Sequence, residues 1–286
     1  MSNGLAINIP TSFNRVLTDL SFIPDVQPDK LAYTGIYGSS AADSIANAKV
    51  GGASSNIQLV EVRNGDRVAY GNGYFSVTGT GADTSGGTGV RAQVNLTDLD
   101  RIGFPCSFIT AFRNIKKVRE TAPVRRLYPI ASFYYNSSVT DGSPFLTIAA
   151  GIADDGTHYI AAYSGSISSI GSDANARLCY VDVDWSIADK LITAGISRAA
   201  DGTVNLAVVI DGVVKTASYS FPVQTDVAVS SAYVLFGSQN KHTLDSGEFM
   251  MGQYWYNKTL TPSELQQQIN ITHLKASDRK STRLNS

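Results

Sequence analysis

Leu191-Ile-Thr-Ala-Gly-Ile-Ser-Arg-Ala-Ala-Asp-Gly-Thr-Val-Asn-Leu-Ala-Val-Val-Ile-Asp-Gly-Val-Val-Lys215 contains two apolar, β-branched runs and the start of a third. Asp201-Gly202 and Asp211-Gly212 join them. Asp-Gly suits a tight turn because both central positions can take positive φ. A second stretch, Gly247-Glu-Phe-Met-Met-Gly-Gln-Tyr-Trp-Tyr-Asn-Lys-Thr-Leu-Thr-Pro-Ser-Glu-Leu265, runs from a strand into a helix start. Thr261 stands at the N-cap, Pro262 at the first helical position, and Glu264 completes a capping box. Leu260 and Leu265 occupy the staple positions, and the helix is expected from Pro262 to about His273.

Similar runs recur along most of the chain. Strands are expected at Ile57–Arg63, Arg67–Tyr70, Tyr74–Thr78, Val90–Leu96, Ser107–Arg113, Tyr128–Tyr135, Phe145–Ile152, His158–Tyr163 and Leu178–Trp185. Others follow at Leu191–Ser197, Val204–Ile210, Val213–Tyr219, Ala232–Gly237 and Glu248–Tyr256. In the first, Ile57, Leu59 and Glu61 share one face and Gln58, Val60 and Val62 the other. Asn64-Gly65 then reads as a hairpin turn. Many short strands with turn chemistry between them, and no fixed repeat, indicate an all-β sandwich rather than a propeller or solenoid. Residues 1–55 read as an N-terminal arm or linker, with one short helix over Ser39–Lys49 capped by Ser40. Residues 56–276 read as the sandwich. Residues 277–286 stand apart, because Asp278-Arg-Lys-Ser-Thr-Arg-Leu-Asn-Ser286 resembles translated sequencing adapter.

From Tyr74 to Gln268 the order of elements resembles the laminin-G-like, concanavalin A-like superfamily. Ser107-Phe-Ile-Thr-Ala-Phe112 is similar to its early core strand, and Phe145–Tyr163 to its hairpin with Asp155-Gly156 at the tip. Trp185 precedes the strand Leu191–Arg198 as a Trp does in that family. Tyr256-Asn-Lys-Thr-Leu260 resembles its Y-N-R-A-L signature. Gln253 departs from the pattern, falling where the family prefers an apolar residue. The resemblance implies an antiparallel two-sheet jelly-roll sandwich with a short C-terminal helix. Its members include lectin modules, polysaccharide-active enzymes and virion proteins, so the fold alone leaves the function open.

Composition narrows the choices. The 286 residues are 43% hydrophobic with a formal charge of -1, which argues against a general nucleic-acid or membrane-surface binder. The opening residues lack the pattern of a secretory signal, and no apolar run approaches membrane-spanning length. Cys106 and Cys179 read as buried free thiols, with one bridge between them as the alternative. The histidines are scattered, and the Gly-rich run Gly79–Gly89 matches neither a P-loop nor a dinucleotide fingerprint.

Candidate ligand-binding residues fall into two groups. Tyr134, Tyr135, Asn136 and Tyr159 are suited to sugar contact, since tyrosine presents an apolar face and a polar edge. Tyr163, Trp185, Tyr254 and Trp255 share that chemistry, but the tryptophans fall at core positions. Arg113, Lys116, Lys117 and Arg119, with Arg125 and Arg126, form a basic loop suited to an acidic glycan or a phosphate. Asp141, Asp154 and Asp155 could offer oxygens to Ca²⁺, the one cofactor these residues suggest, although aspartates are also ordinary turn residues. Asp182 and Asp184 lie two apart on one strand face, roughly 7 Å apart. A retaining glycosidase pair would stand at about 5–5.5 Å, and the third carboxylate of jelly-roll hydrolases is missing.

The expectation is a non-enzymatic carbohydrate-recognition or structural module of a bacteriophage virion, as a tail-associated or decoration protein. Such a protein is made in the host cytoplasm and acts outside it; the other expected location is extracellular. Expected partners are a cell-surface or extracellular glycan, other virion proteins and further copies of the chain, with no nucleic acid and no membrane insertion. The alternatives are a polysaccharide lyase or glycoside hydrolase on the same fold, and a purely structural oligomerisation module.

Overall fold

Alternating apolar runs need a second apolar surface to cover them, and here two sheets supply each other's. The computed structural model describes residues 24–46, 57–79, 87–94, 105–117, 127–137, 144–165, 170, 172–223, 229–238 and 244–281. The first sheet contains β1 (Leu31–Ile36), β3 (Val68–Gly71), β4 (Tyr74–Thr78), β6 (Cys106–Lys116), β11 (Ile192–Arg198), β12 (Thr203–Ile210), β13 (Val213–Ser220) and β15 (Ser246–Trp255). The second contains β2 (Ile57–Arg63), β5 (Thr88–Val94), β7 (Leu127–Ser137), β8 (Pro144–Ile152), β9 (His158–Ser164), β10 (Cys179–Asp182) and β14 (Val229–Ser238). Their orders are β13-β12-β11-β6-β15-β4-β3, with β1 also on β15, and β10-β9-β8-β7-β14-β5-β2. The pairings are antiparallel. The fold is an all-β sandwich of jelly-roll-like kind.

Period-two alternation sends one set of side chains from each strand into the shared core. Phe108 and Phe112 of β6, Ile192 and Ile196 of β11, Phe133 of β7, and Val234 and Phe236 of β14 all bury there. Aromatic rings bridge the two sheets: Tyr33 stacks on Phe236 at 5.6 Å and Phe133 on Tyr254 at 6.1 Å. Cys106 and Cys179 are buried free thiols in different sheets. Burial pushes each up to about 12, so neither is a ready nucleophile.

Three short helices complete the described chain. In α1 (Ala41–Ala46) the Ser40 hydroxyl accepts from the Asp43 N–H at 3.0 Å. In α2 (Asp173–Ala176) Ser172 caps in the same way. In α3 (Pro262–Ser281) the capping box is present in full: Glu264 N–H donates to Thr261 Oγ1 at 3.3 Å, and Thr261 N–H donates to Glu264 Oε2 at 2.8 Å. Thr261→Ala is expected to cost about 1 kcal/mol, read as a small fall in urea midpoint.

Three expectations need correction. Asn64-Gly65 is not a hairpin turn: β2 and β3 lie in different sheets, and the chain crosses between them through a 3₁₀ turn, Gly65–Arg67. Asn64 does take positive φ, 49°, but its side-chain amide reaches across to the Gly87 carbonyl, and the turn redirects the chain instead of reversing it. Leu31–Ile36, inside the stretch read as an arm, is a strand paired with β15. Its residues are nearly all buried, so it lacks the alternation that marks a half-exposed strand. The C-terminal helix runs past His273, through Ala276, which is buried against Ala111, Met250 and Met251, and on to Ser281.

Gln253 has a structural reason. It sits beneath α3 in a buried polar network, where Thr272 donates to its Oε1 at 2.6 Å. Gln268 also donates to Gln253 Oε1, at 3.2 Å. Asp25 Oδ1 accepts from Gln253, Gln268 and Lys275 at 3.2, 2.7 and 2.7 Å. These contacts fasten the segment before β1 to the C-terminal helix.

Candidate functional site

Each sheet has an outer face, and most of that surface is already used. On the first sheet α3 lays Leu265 and Ile269, with Leu260, onto Ile109, Ala207, Val209 and Trp255. On the second sheet Ile170 and Ala176 pack on Leu127, Ala149, Tyr159 and Ala161. Among the described residues, a partly exposed shelf lies on the outer side of β2, β5 and β14.

The shelf follows from strand register. Val60 and Val62 of β2 pair with Ala92 and Val90 of β5 on the core side. Leu59, Glu61, Arg63, Arg91 and Gln93 are therefore on the outer side. Glu61 lies directly opposite Arg91 and forms an ion pair with it, and it takes a second contact from Arg63 at 3.1 Å. On the next strand Tyr233 faces Gln93 and Tyr134. Its ring stacks on Tyr134 at 4.8 Å and carries the Arg91 guanidinium 4.9 Å from its centroid. Burial raises the Tyr233 phenol, while Arg91 and Arg63 pull it back down. The result is a ladder of cation, ring and ring across three strands, with an amide and a carboxylate beside it.

Of the aromatic candidates, Tyr134 joins this ladder, though it is 4% exposed and lies behind Tyr233. The backbone of Tyr135 and Asn136 continues β7, and their side chains lie outside the described atoms. Tyr159 is fully buried against Tyr180, so it has no free ring face for a sugar. Trp185, Tyr254 and Trp255 are core residues. Trp185 donates its indole N–H to the carbonyls of Gly151 and Tyr159 at 3.2 and 3.1 Å.

The basic run does not form a free cationic surface over its described part. Arg113 is paired with Glu248 at 2.7 Å and lies over Tyr74. Lys117 reaches Asp245 at 3.3 Å and lies over Tyr128. Both acids come from the start of β15 or just before it, more than 120 residues away in sequence. Lys116 is exposed, while Arg119, Arg125 and Arg126 lie outside the described residues.

The aspartate candidates belong to turns. Ala153-Asp-Asp-Gly-Thr157 and Ala199-Ala-Asp-Gly-Thr203 close the same way: the Ala N–H donates to the Thr carbonyl at 2.9 Å in each. The central carboxylate accepts the Thr N–H at 2.9 Å in both, through Asp155 and Asp201. That bond holds both carboxyls below their usual range. Asp155 therefore does what Asp201 does, and turn geometry accounts for it without a metal. Asp154 is bound through its backbone N–H to Asp173, and Asp141 lies outside the described residues. Among the described residues no group of three or more metal-ligating side chains comes together. Asp182 and Asp184 do share a face, but each has its own partner. Arg177 holds Asp182 at 3.1 Å, and Asp184 accepts from Ser186 and meets His158 at 3.0 Å.

One concave feature lies elsewhere. A groove of about 310 Å³ between β12, β13 and the start of α3 is lined by Asn205, Thr216, Ser218 and Gln266, with Ala207, Pro262 and Leu265. It has hydroxyls and amides but no titratable side chain, so it offers no acid, base or nucleophile. The shelf residues Glu61, Arg63, Arg91 and Tyr233 were not singled out in the sequence. Glu61-Val-Arg63 was visible as an alternating pair, but only the β2–β5–β14 register brings Arg91 and Tyr233 beside it.

No protein-family model matches the chain, and no curated protein matches it in sequence. Solved structures align with it. A Trypanosoma rangeli sialidase in complex with sialic acid aligns at 10% identity and TM-score 0.50, over 87% of this chain and 33% of that one. An alginate lyase aligns at 11% identity and TM-score 0.48, over 81% and 99%. The botulinum neurotoxin serotype D binding domain aligns at 16% identity and TM-score 0.44, over 87% and 52%. The chain thus spans about a third of the sialidase's length, and what the sialidase likeness establishes is the β-sandwich fold.

Proposed function

We propose that this protein is a non-enzymatic carbohydrate-recognition module of laminin-G-like kind, and that the β2–β5–β14 shelf is its contact surface. The carrying observation is the partly exposed grouping of Tyr233, Gln93, Arg91, Glu61 and Arg63 on the outer side of the second sheet. Rigid strands hold these groups at fixed spacing, which suits the fixed pattern of hydroxyls on a sugar. Because Tyr134 and Arg91 are layered with Tyr233, recognition here works through hydrogen bonds at ring edges and side-chain tips more than through stacking on a bare face. The fold shared with a sialidase solved with sialic acid supports a carbohydrate-related role. The setting we propose is a bacteriophage virion, where the module would meet cell-surface glycans.

Binding of the full chain to an array of bacterial and acidic glycans tests this. Tyr233→Ala is expected to weaken any hit by about tenfold or more, the scale of a contact residue worth more than 1 kcal/mol. Thr216→Val, in the groove beside α3, should leave it unchanged. The reverse pattern would move the site to that groove, and absence of binding to any glycan would reject carbohydrate recognition. A lyase or hydrolase reading based on Asp182 and Asp184 gains nothing from the structure, since each carboxylate is tied to a different neighbour.

A further inference from the structure

Two arginines on the shelf share one carboxylate. Arg63 reaches Glu61 through a single terminal nitrogen, and Arg91 does so through another. Neither pairing is the two-pronged fork that saturates a guanidinium. The Nε–H groups of both arginines are turned from bulk water and have no hydrogen-bond partner among the described residues. A buried donor without an acceptor is a cost, and it points to something that completes the site. The cluster Arg63–Glu61–Arg91 carries a net positive charge at a partly shielded position, the three side chains being 33%, 29% and 18% exposed. Elsewhere Arg177–Asp182, Lys190–Asp211 and Lys275–Asp25 match one cation to one carboxylate. Arg113 even faces two acids, Glu248 and Asp189. The shelf differs from these pairs in placing two cations on one carboxylate.

Tyr233 adds a third donor. Burial raises its phenol above the ordinary value, and the positive charges of Arg91 and Arg63 oppose that rise only in part. The Arg91 guanidinium lies 4.9 Å from the centre of the Tyr233 ring, and Glu61 links it to the Arg63 guanidinium, so these side chains form one contiguous group across β2, β5 and β14.

We propose that this cluster binds the anionic group, carboxylate or sulfate, of an acidic sugar unit through Arg63, Arg91 and the Tyr233 hydroxyl. The proposal rests on the shelf being the glycan-contacting surface. Glu61 has two effects there. It fixes the two guanidiniums in the free protein, and it competes with the ligand for them. Arginine is the suitable residue because its planar donors match a carboxylate or sulfate edge on. Partial exposure means that salt weakens the attraction.

Calorimetry with the full chain tests the proposal, using a tetragalacturonate, its neutral methyl ester and inorganic sulfate as probes. The expected result is acidic-oligosaccharide binding about tenfold tighter than that of the ester, falling as salt rises. Arg91→Gln and Arg63→Gln should each abolish that preference without lowering the melting temperature. Glu61→Gln should tighten binding of the acid, a gain that a merely structural role for Glu61 would not produce. Equal binding of acid and ester would overturn the anionic assignment and leave carbohydrate recognition standing. Arg91-dependent binding of sulfate with no oligosaccharide binding would keep the anion site and reject the glycan reading. No binding by any probe would overturn both.

Discussion

Trp255→Ala is expected to destabilise the protein by about 3–5 kcal/mol, the range for truncating a large buried aromatic. Trp255 is 0% exposed and lies at the centre of the layer between the first sheet and α3. It packs with Leu31, Ile109, Leu260, Leu265 and Ile269. Its indole N–H donates to the Val26 carbonyl at 2.8 Å, so truncation also leaves a partly buried acceptor unpaired. Against a typical total stability of about 5–15 kcal/mol, that loss is a large fraction. Urea denaturation of the variant measures it directly, with Trp255→Phe as the milder comparison that keeps most of the volume. A loss below about 1 kcal/mol for the alanine variant would show that α3 and the segment before β1 are not coupled to the sheet as described.

Gly237→Ala is expected to cost about 3 kcal/mol or more, although it adds a single carbon. Gly237 of β14 and Gly89 of β5 face each other directly in the sheet, with φ of +137° and +143°. Both values belong to backbone that side-chain-bearing residues rarely adopt. A Cβ at Gly237 would also stand 2.1 Å from the Thr88 carbonyl oxygen, and one at Gly89 would stand 2.1 Å from that of Phe236. Neither obstacle is a flexible side chain, so the two strands would have to part. Gly73→Ala is the control: its φ is +88° with nothing within 4 Å, so only backbone strain, about 1–2 kcal/mol, should be felt. Thermal melting of the two variants separates the cases. Equal shifts would mean that β5 and β14 approach less closely than the structure has them.

The two tight turns with Asp-Gly show how far local chemistry reaches. At Asp211-Gly212 both residues have positive φ, 51° and 74°, as the dipeptide suggests. At Asp201-Gly202 only the glycine does, because the turn there is longer and the aspartate side chain closes it. Asn64-Gly65 carries the same signal and yet does not make a hairpin. What separates these cases is the partner of the following strand. β12 finds its neighbour next to it in sequence, whereas β3 pairs with β4 in the opposite sheet.

The pairing of Arg113 and Lys117 has a related reason. Arg113 and Lys117 look unopposed because their neighbours in sequence carry almost no acid. Glu248 and Asp245 reach them only because β15 lies beside β6. The shelf is the converse case: Glu61, Arg91 and Tyr233 are unremarkable separately and become a group through register.

Turn residues, β alternation, the Thr261 capping box and the buried tryptophans were legible along the chain because each depends on contacts within a few residues or on burial alone. They were enough for an all-β sandwich with a C-terminal helix. Sheet membership, the strand hidden at Leu31–Ile36, the network around Gln253 and the charge balance of the shelf came from the tertiary structure. The pairings that decide these features join residues far apart in sequence, such as Leu31 with Trp255 and Glu61 with Arg91. Neither the sign of a local field nor the exposure of a ring exists until those strands meet.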